Sequence, residues 1–450
     1  MVSPYRRTYF FMTRLSLILL FTTLVLPAKA QREVRTYYDP AKEHLQEIYY
    51  VEADNETFAG PYKRFYESGG IMVEGFFEGG LKNGIFVEYY ENGKRARELT
   101  YVDGVREGPV QVFDEDGKPV QQAYYRNDVL TDSVQLYFDD GSVKRSAFFA
   151  GGKPDGQVKE FYPGGSIRKL VNYANGKPNG VALTYYPNGS VETEAFLRDG
   201  VITGYYKTYY DNGQLETIST MENGTKQGRF RTYDRDGALI LEGGFVDGKL
   251  DGPNTGYYPD GKIRHRFTYK EGRKTGANFE YYPDGTVKSK EQVALNGQDR
   301  TIENFDEKGV RLSEKRYKNT LPHGTWTIYF EDGKTPKIRE TYSGGKLTGE
   351  RYEYFPSGNI AVVATYKFGL LAGSYRTYYE NGTQATSVEY RNNRKTGPFV
   401  SYHPNGKVKE EGQYIADKRH NEWKEYDESG QLIKTVVYKA GEVVGEKGSK

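Results

Sequence analysis

Residues 185–213 read YYPNGSVETEAFLRDGVITGYYKTYYDNG: an aromatic pair, a polar turn ending in Gly, a run mixing apolar and charged side chains, a second turn, and the aromatic pair again. Short runs of aromatic and β-branched residues bounded by Gly, Pro, Asn and Asp read as strands. YPNG and YPDG place Pro second, Asn or Asp third and Gly fourth, which suits a type I turn followed by a left-handed glycine, a hairpin with a G1 bulge. The other connection, seen in GKPNG, GKLDG and GRKTG, reads as a short polar loop between two glycines. Gly and Pro turns interrupt the chain throughout, with residues 41–50 among the stretches least marked by them, so helices are not expected.

The pattern runs through the chain. The glycine closing each aromatic turn recurs every 24 residues from Gly69 through Gly93, Gly189, Gly213, Gly261 and Gly285 to Gly333; one step of 25 leads to Gly358, then Gly382, Gly406 and Gly430. Four residues before each of these sixteen glycines stands a Tyr or Phe, from Phe65 to Tyr426. The additional residue of the long step is expected as a strand bulge near KTPKI and its Pro336. A second glycine usually follows fifteen residues after the first, but Asp132, Arg300 and Asn421 replace it in three units. The left-handed backbone suited to glycine becomes costly there, least so for Asn and Asp.

The reading is therefore all-β: a meander of 24-residue hairpins forming an elongated, twisted, single-layer antiparallel sheet. A lone hairpin cannot offset the entropy of ordering its residues, so neighbours must stack. At about 4.8 Å per strand, sixteen units would reach on the order of 150 Å before twist. Residues 31–60 are expected as a degenerate N-terminal cap, 61–445 as the array, and 446–450 as a short tail. Pairing across the turn should set Tyr185 opposite Val191, and simple alternation places the aromatic eight after the glycine (Phe245, Tyr317) on that same face. The second aromatic of each pair (Tyr186, Tyr210, Tyr379) and both tryptophans, Trp326 and Trp423, fall on the other face as a thinner stripe among charges.

The N-terminus differs from the rest. Arg6, Arg7 and Arg14 precede an apolar run from Leu15 to Leu26 and then Ala28-Lys29-Ala30, the layout of a secretory signal peptide spanning 1–30, with cleavage expected after Ala30. The run of twelve is too short to span a bilayer, so the protein is not expected to be integral to the membrane. The whole chain carries 63 basic and 61 acidic residues; without Arg6, Arg7, Arg14 and Lys29 the balance is 59 to 61. Such a balance offers no electrostatic reason to bind nucleic acid. With no cysteine, an exported product would hold no disulfide and no lipid-anchored cysteine. A periplasmic, cell-surface or secreted location follows.

Little in the chain suggests catalysis. His44, His265, His323, His403 and His420 mostly occupy different phases of the repeat, which argues against a metal cluster. No HExxH, GxSxG or GxxxxGK[ST] pattern occurs, and the recurrent glycines are explained by hairpin geometry. Neither enzyme activity nor a cofactor is expected. The Tyr/Trp stripe reads either as packing or as a binding surface, since exposed aromatic patches mark interaction sites. The best candidate contact lies in DKRHNEW, where His420, Asn421 and Trp423 cluster with charge, and Trp326 occupies the equivalent phase. Trp423→Ala is expected to weaken partner binding with little loss of folding.

The unit GxxxxYYxxGxxxxxxxYxxG resembles the MORN repeat, in the bacterial variant found in the YwqK family of toxin–antitoxin antitoxins, over essentially all of residues 60–445. The resemblance implies a non-enzymatic β-repeat scaffold acting through protein–protein contacts, with phospholipid binding a further possibility among relatives. An exported chain departs from the antitoxin role, because it could not neutralise a toxin in the cytoplasm. The leading expectation is an exported scaffold presenting an extended surface to a protein partner. The alternative is a glycan- or cell-wall-binding module using the aromatic stripe, although comparable wall-binding repeats use paired Trp in every unit and this chain has two Trp in all.

Overall fold

A computed structural model describes residues 31–448, so the expected leader lies outside the described residues. Every regular element among them is a β-strand, and none of the strand pairings is parallel. The chain divides into two units, one up to Lys153 and one from Pro154. Within each, a strand pairs with the strands before and after it in sequence, giving an open meander rather than a barrel. In the first unit a hairpin of Arg32–Tyr37 and Leu45–Val51 leads into Gly60–Phe65 and its successors. The last strand of the second, Glu442–Gly448, takes in residues 446–448 that the sequence suggested as tail.

All sixteen marker glycines are left-handed, including Gly93 (φ 81°), Gly189 (88°), Gly213 (85°), Gly261 (81°), Gly285 (96°) and Gly382 (85°). At a representative turn the Gly189 amide donates to the Tyr186 carbonyl and the Tyr186 amide to the Ser190 carbonyl, both at 2.9 Å. Tyr185 pairs with Val191 and Thr184 with Thr193, leaving Glu192 as the bulge residue. This is the expected hairpin, and the same aromatic–aliphatic pairing recurs in Phe65–Ile71, Tyr209–Leu215, Tyr257–Ile263 and Tyr402–Val408.

The bulge corrects the assignment of faces. One inserted residue reverses the alternation beyond it, so the aromatic eight after the glycine moves to the tryptophan face. Phe245 lies 4.8 Å from Phe230, Tyr317 lies 5.2 Å from Trp326, and Tyr414 lies 5.0 Å from Trp423. That face holds the core. Its most buried column is the residue six after the glycine, with Ala123, Ala147, Val171, Ala195, Ala364 and Val388 all buried. The opposite face is organised by polar contacts: Tyr89, Tyr209, Tyr257 and Tyr426, each four before a marker glycine, donate to Glu74, Glu194, Glu242 and Glu411. Burial and its bond to Glu194 push the Tyr209 phenol up to about 12.

The second connection also differs from expectation. It is a two-residue hairpin, with Asn175 (φ 51°) and Gly176 (φ 83°) both left-handed and Ala174 paired to Lys177, as a type I′ turn requires. The residues read as a loop, KPNG, already belong to the next strand, Lys177–Tyr185. The added residue of the long step sits in the turn, where Phe330 N–H reaches Thr335 O, and Pro336 opens the strand opposite Tyr329.

Turns of successive units are tied together. Where the second aromatic of a pair is tyrosine, its hydroxyl donates to a carbonyl of the next unit, as from Tyr66 to Tyr89, Tyr162 to Tyr185, Tyr186 to Tyr209 and Tyr379 to Tyr402. His403 reaches Tyr426 O in the same way at 3.0 Å. Where Asp replaces the tyrosine, as at Asp114, Asp234 and Asp306, its carboxylate instead accepts amides of its own turn. Asn before the glycine does both, since Asn188 Oδ1 accepts from Ser190 N while its Nδ2 donates to Asp211 O. Asp at that position can only accept. The tyrosine stripe is therefore built into the stack, each hydroxyl bond adding about 0.5–1.5 kcal/mol.

Candidate functional site

The residues singled out by sequence fall in the second unit. Trp326 and Trp423 occupy the same register, seven before a marker glycine, and each donates its indole N–H to a backbone carbonyl, Arg316 O at 2.7 Å and Gln413 O at 3.2 Å. Their surroundings differ. Trp423 lies over Gly412, where an added Cβ would collide with the indole, and is 2% exposed. Phe399 stacks at 5.3 Å, Tyr414 stands edge-on at 5.0 Å, and the Arg419 guanidinium covers the ring at 3.9 Å. The ring belongs to the core, so the expectation that its removal spares folding is corrected. Trp326 is half-buried between Tyr317 and Tyr342, with the Lys315 ammonium 5.2 Å above it.

Asn421 keeps the left-handed backbone of the glycine it replaces (φ 59°), as Asp132 does (φ 61°). Its amide donates to Gln413 Oε1 at 2.8 Å, and it lines a cleft of ≈ 400 Å³ with Phe399, Glu411, Gln413, Glu422 and Lys424. His420 accepts weakly from Ala440 N at 3.4 Å. The structure thus brings Asn421 to a cleft and places Trp423 beneath the surface beside it.

Arg300, the third glycine replacement, does not take the left-handed backbone. The strand Val287–Val293 pairs with Arg300–Phe305 in unbroken register from Ser289–Asn304 to Val293–Arg300, without the irregularity seen beside other second glycines. The connection opens into residues 294–299, where Gly297 donates to Ala294 O and Asn296 caps the amides of Gln298 and Asp299. Leu295 in this loop is 93% exposed. The small core residue is also replaced here, by Glu291, which is 8% exposed and bound by Lys274 Nζ at 2.9 Å and Arg300 Nη1 at 3.6 Å. Arg300 further stacks on Tyr317 at 4.9 Å, and its Nε is buried without a hydrogen-bond partner. A cleft of ≈ 430 Å³ lies against it, lined also by Asp299, Arg316, Lys318 and His323. Asp299 is held below the usual carboxylate range by the Asn319 amide, Asn296, and the nearby Lys318 and His323.

Sequence reasoning noticed the missing glycine at 300 but not this ion cluster. The available signal was a carboxylate at a phase otherwise occupied largely by Ala, Val, Gly or Ser. A further cleft of ≈ 330 Å³ adjoins His265, which fills the space left by Gly256 and stacks on Phe267 at 4.4 Å. Burial, with Arg264 nearby, lowers the His265 pKa. Among the described residues no group of three or more His, Cys, Asp or Glu is placed to hold a metal ion. No described helix is long and apolar enough to cross a membrane.

Comparison with known proteins agrees with the hairpin period. The family described as "MORN repeat variant" matches nine segments: 82–103, 106–127, 154–175, 178–199, 202–223, 250–271, 347–368, 395–416 and 419–440. No curated protein matches. Among solved structures, the crystal structure of TcdB2-TccC3-TEV aligns at 12% identity over 94% of this chain and 30% of that one, with a TM-score of 0.15. That of TcdB2-TccC3-Cdc42 aligns at 12% identity over 91% and 30%, with a TM-score of 0.14. This chain therefore spans about 30% of the length of those solved chains, and TM-scores this low carry no inference. The nine matched segments are in register with the observed hairpins and support a MORN-type repeat array.

Proposed function

We propose that this protein is an exported, non-enzymatic scaffold whose repeat array presents a surface to a protein partner. The carrying observation is that successive hairpins pack chiefly on their neighbours within each unit, leaving clefts lined by charged side chains along the sheet. Binding can then be distributed over units while the turn ladders keep the spacing between them. Export rests on the leader-like residues 1–30, and mature material should begin at Gln31.

The test is cross-linking of protein starting at Gln31 in an envelope extract, followed by reconstitution with the purified partner. Stoichiometric binding to one protein supports the scaffold. Selective retention on purified cell wall, with no protein partner, would transfer the role to glycan binding. Intact Met1 on protein in the cytoplasm would end the export part and return the antitoxin-like role of relatives to consideration.

A further inference from the structure

From Gly79 to Ala440, each type I′ turn begins with a residue in the left-handed region, φ lying between 47° and 56°, except in the enlarged loop 294–299. Asn, Asp or Gly fill that place in most units, and Glu271, Ala416 and Ala440 in three others. Phe368 (φ 51°) stands apart: it sets an aromatic ring on a backbone that bulky residues avoid. Burial does not offset this strain, since Phe368 is 70% exposed. Lys367 pairs with Leu370 across the turn, and the Lys367 ammonium lies 5.9 Å from the ring. Lys346 in the preceding unit, and Arg391 and Arg394 in the following one, occupy the equivalent paired positions. All four cations therefore leave the sheet on the same side. Each is exposed, and among the described residues none is in an ion pair. Gly369 N–H donates to Leu347 O at 2.8 Å and Asn393 N–H to Leu371 O at 2.9 Å, which fixes the Phe368 turn between the cations of its neighbours. The acid one turn further on, Asp417, accepts the Lys395 amide at 2.7 Å.

We propose that the Phe368 turn is a contact point for the protein partner, its ring entering an apolar pocket rimmed by carboxylates, a reading that rests on the scaffold role above. A strained residue that the fold neither buries nor bonds is explained by what it meets outside the chain. Aromatic rings are enriched in the cores of protein interfaces, and Phe368 is presented at a turn that its hydrogen-bonded neighbours hold in place, so little ordering is left to binding. The unpaired cations beside it select an acidic rim by charge complementarity. The flanking turns begin with Gly344 and Asn392, so the row offers one ring and not a continuous apolar edge. That suits a pocket, which takes a single ring, better than a bilayer, which would meet several turns at once.

The experiment places the photoreactive residue p-benzoylphenylalanine at position 368 of the full chain from Gln31 and, as a control, at position 392 in the next turn. Irradiation in an envelope extract should give a discrete protein adduct from 368 and none from 392. The adducted protein, purified by itself, should bind the wild-type chain, and Phe368→Asn should weaken that binding about tenfold or more. The same variant should raise the thermal midpoint, because Asn tolerates the left-handed backbone. Lys367→Glu should weaken binding by a smaller factor that shrinks with added salt. Undiminished affinity in Phe368→Asn overturns the proposal, and so does a lowered thermal midpoint, which would make the ring part of the fold. Phe368-dependent binding to vesicles of phosphatidylserine and phosphatidylcholine, with no protein adduct, also overturns it by assigning the turn to a membrane surface. If the partner found for the scaffold binds Phe368→Asn as tightly as the wild type, the turn role falls and the scaffold stands. If no protein binds the chain at all, the scaffold falls and the turn role falls with it.

Discussion

Trp326 and Trp423 share a residue type, a repeat phase and a backbone hydrogen bond, yet one is half-buried and the other is core. The residue across the hairpin decides this. Gly412 lets the Trp423 indole settle onto bare backbone, and Arg419, itself 2.8 Å from Glu410, closes over it. Under Trp326 the equivalent position is Lys315, whose ammonium stays near the ring and in contact with water. The same pairing of a large ring with glycine recurs at Phe86 over Gly75 and Phe230 over Gly243. In this array, burial belongs to cross-strand pairs rather than to single residues.

The comparison is most directly broken by removing the rings. Trp423→Ala should cost about 3–5 kcal/mol of local stability, the usual cost of deleting a packed aromatic, whereas Trp326→Ala should cost less than half as much. Repeat arrays open locally, so hydrogen exchange over residues 395–439 and 300–343 is the suitable measurement. Equal losses at the two sites would refute the pairing rule. Next in size, Gly412→Ala should cost about 1–3 kcal/mol through overpacking, and the Trp423 indole fluorescence should shift red as the ring is displaced. Lys315→Gly should do the reverse to Trp326, giving a blue shift with a stability change within about 1 kcal/mol, since the lost strand propensity opposes the gained burial.

Smaller effects sharpen the contrast between the glycine replacements. Asn421→Gly should be neutral or stabilising by a few tenths of a kcal/mol, because it relieves a left-handed backbone. Arg300→Gly should be destabilising, because the backbone at residue 300 has no such strain to relieve and the Glu291 charge would lose a partner. Thermal midpoints of the two variants moving in the same direction would contradict this.

The smallest expected effect is on pH. Turn carboxylates such as Asp128, Asp251, Asp284 and Asp299 are held below their ordinary 3.8, chiefly by backbone amides. A depressed folded-state pKa contributes stability that is full above the unfolded value and is lost as pH falls through the folded one. The thermal midpoint should therefore stay level as pH falls towards about 4 and decline below it. A decline beginning near pH 6 would implicate histidines instead.

Much of this was readable from the letters. The period of 24, the left-handed glycine closing each aromatic turn, the pairing of Tyr185 with Val191 and the absence of helices among the described residues follow from turn chemistry and local alternation. Those rules act over a few residues, so a single sequence carries them whole. The face of Phe245 and Tyr317 was misread because alternation was carried through the turn without the residue that the bulge inserts. The roles of the Tyr186 hydroxyl, of Gly412 beneath Trp423, and of Glu291 beneath Arg300 were decided only by tertiary structure. Each depends on which side chain the stacking of hairpins sets opposite another, and no local periodicity records that distance.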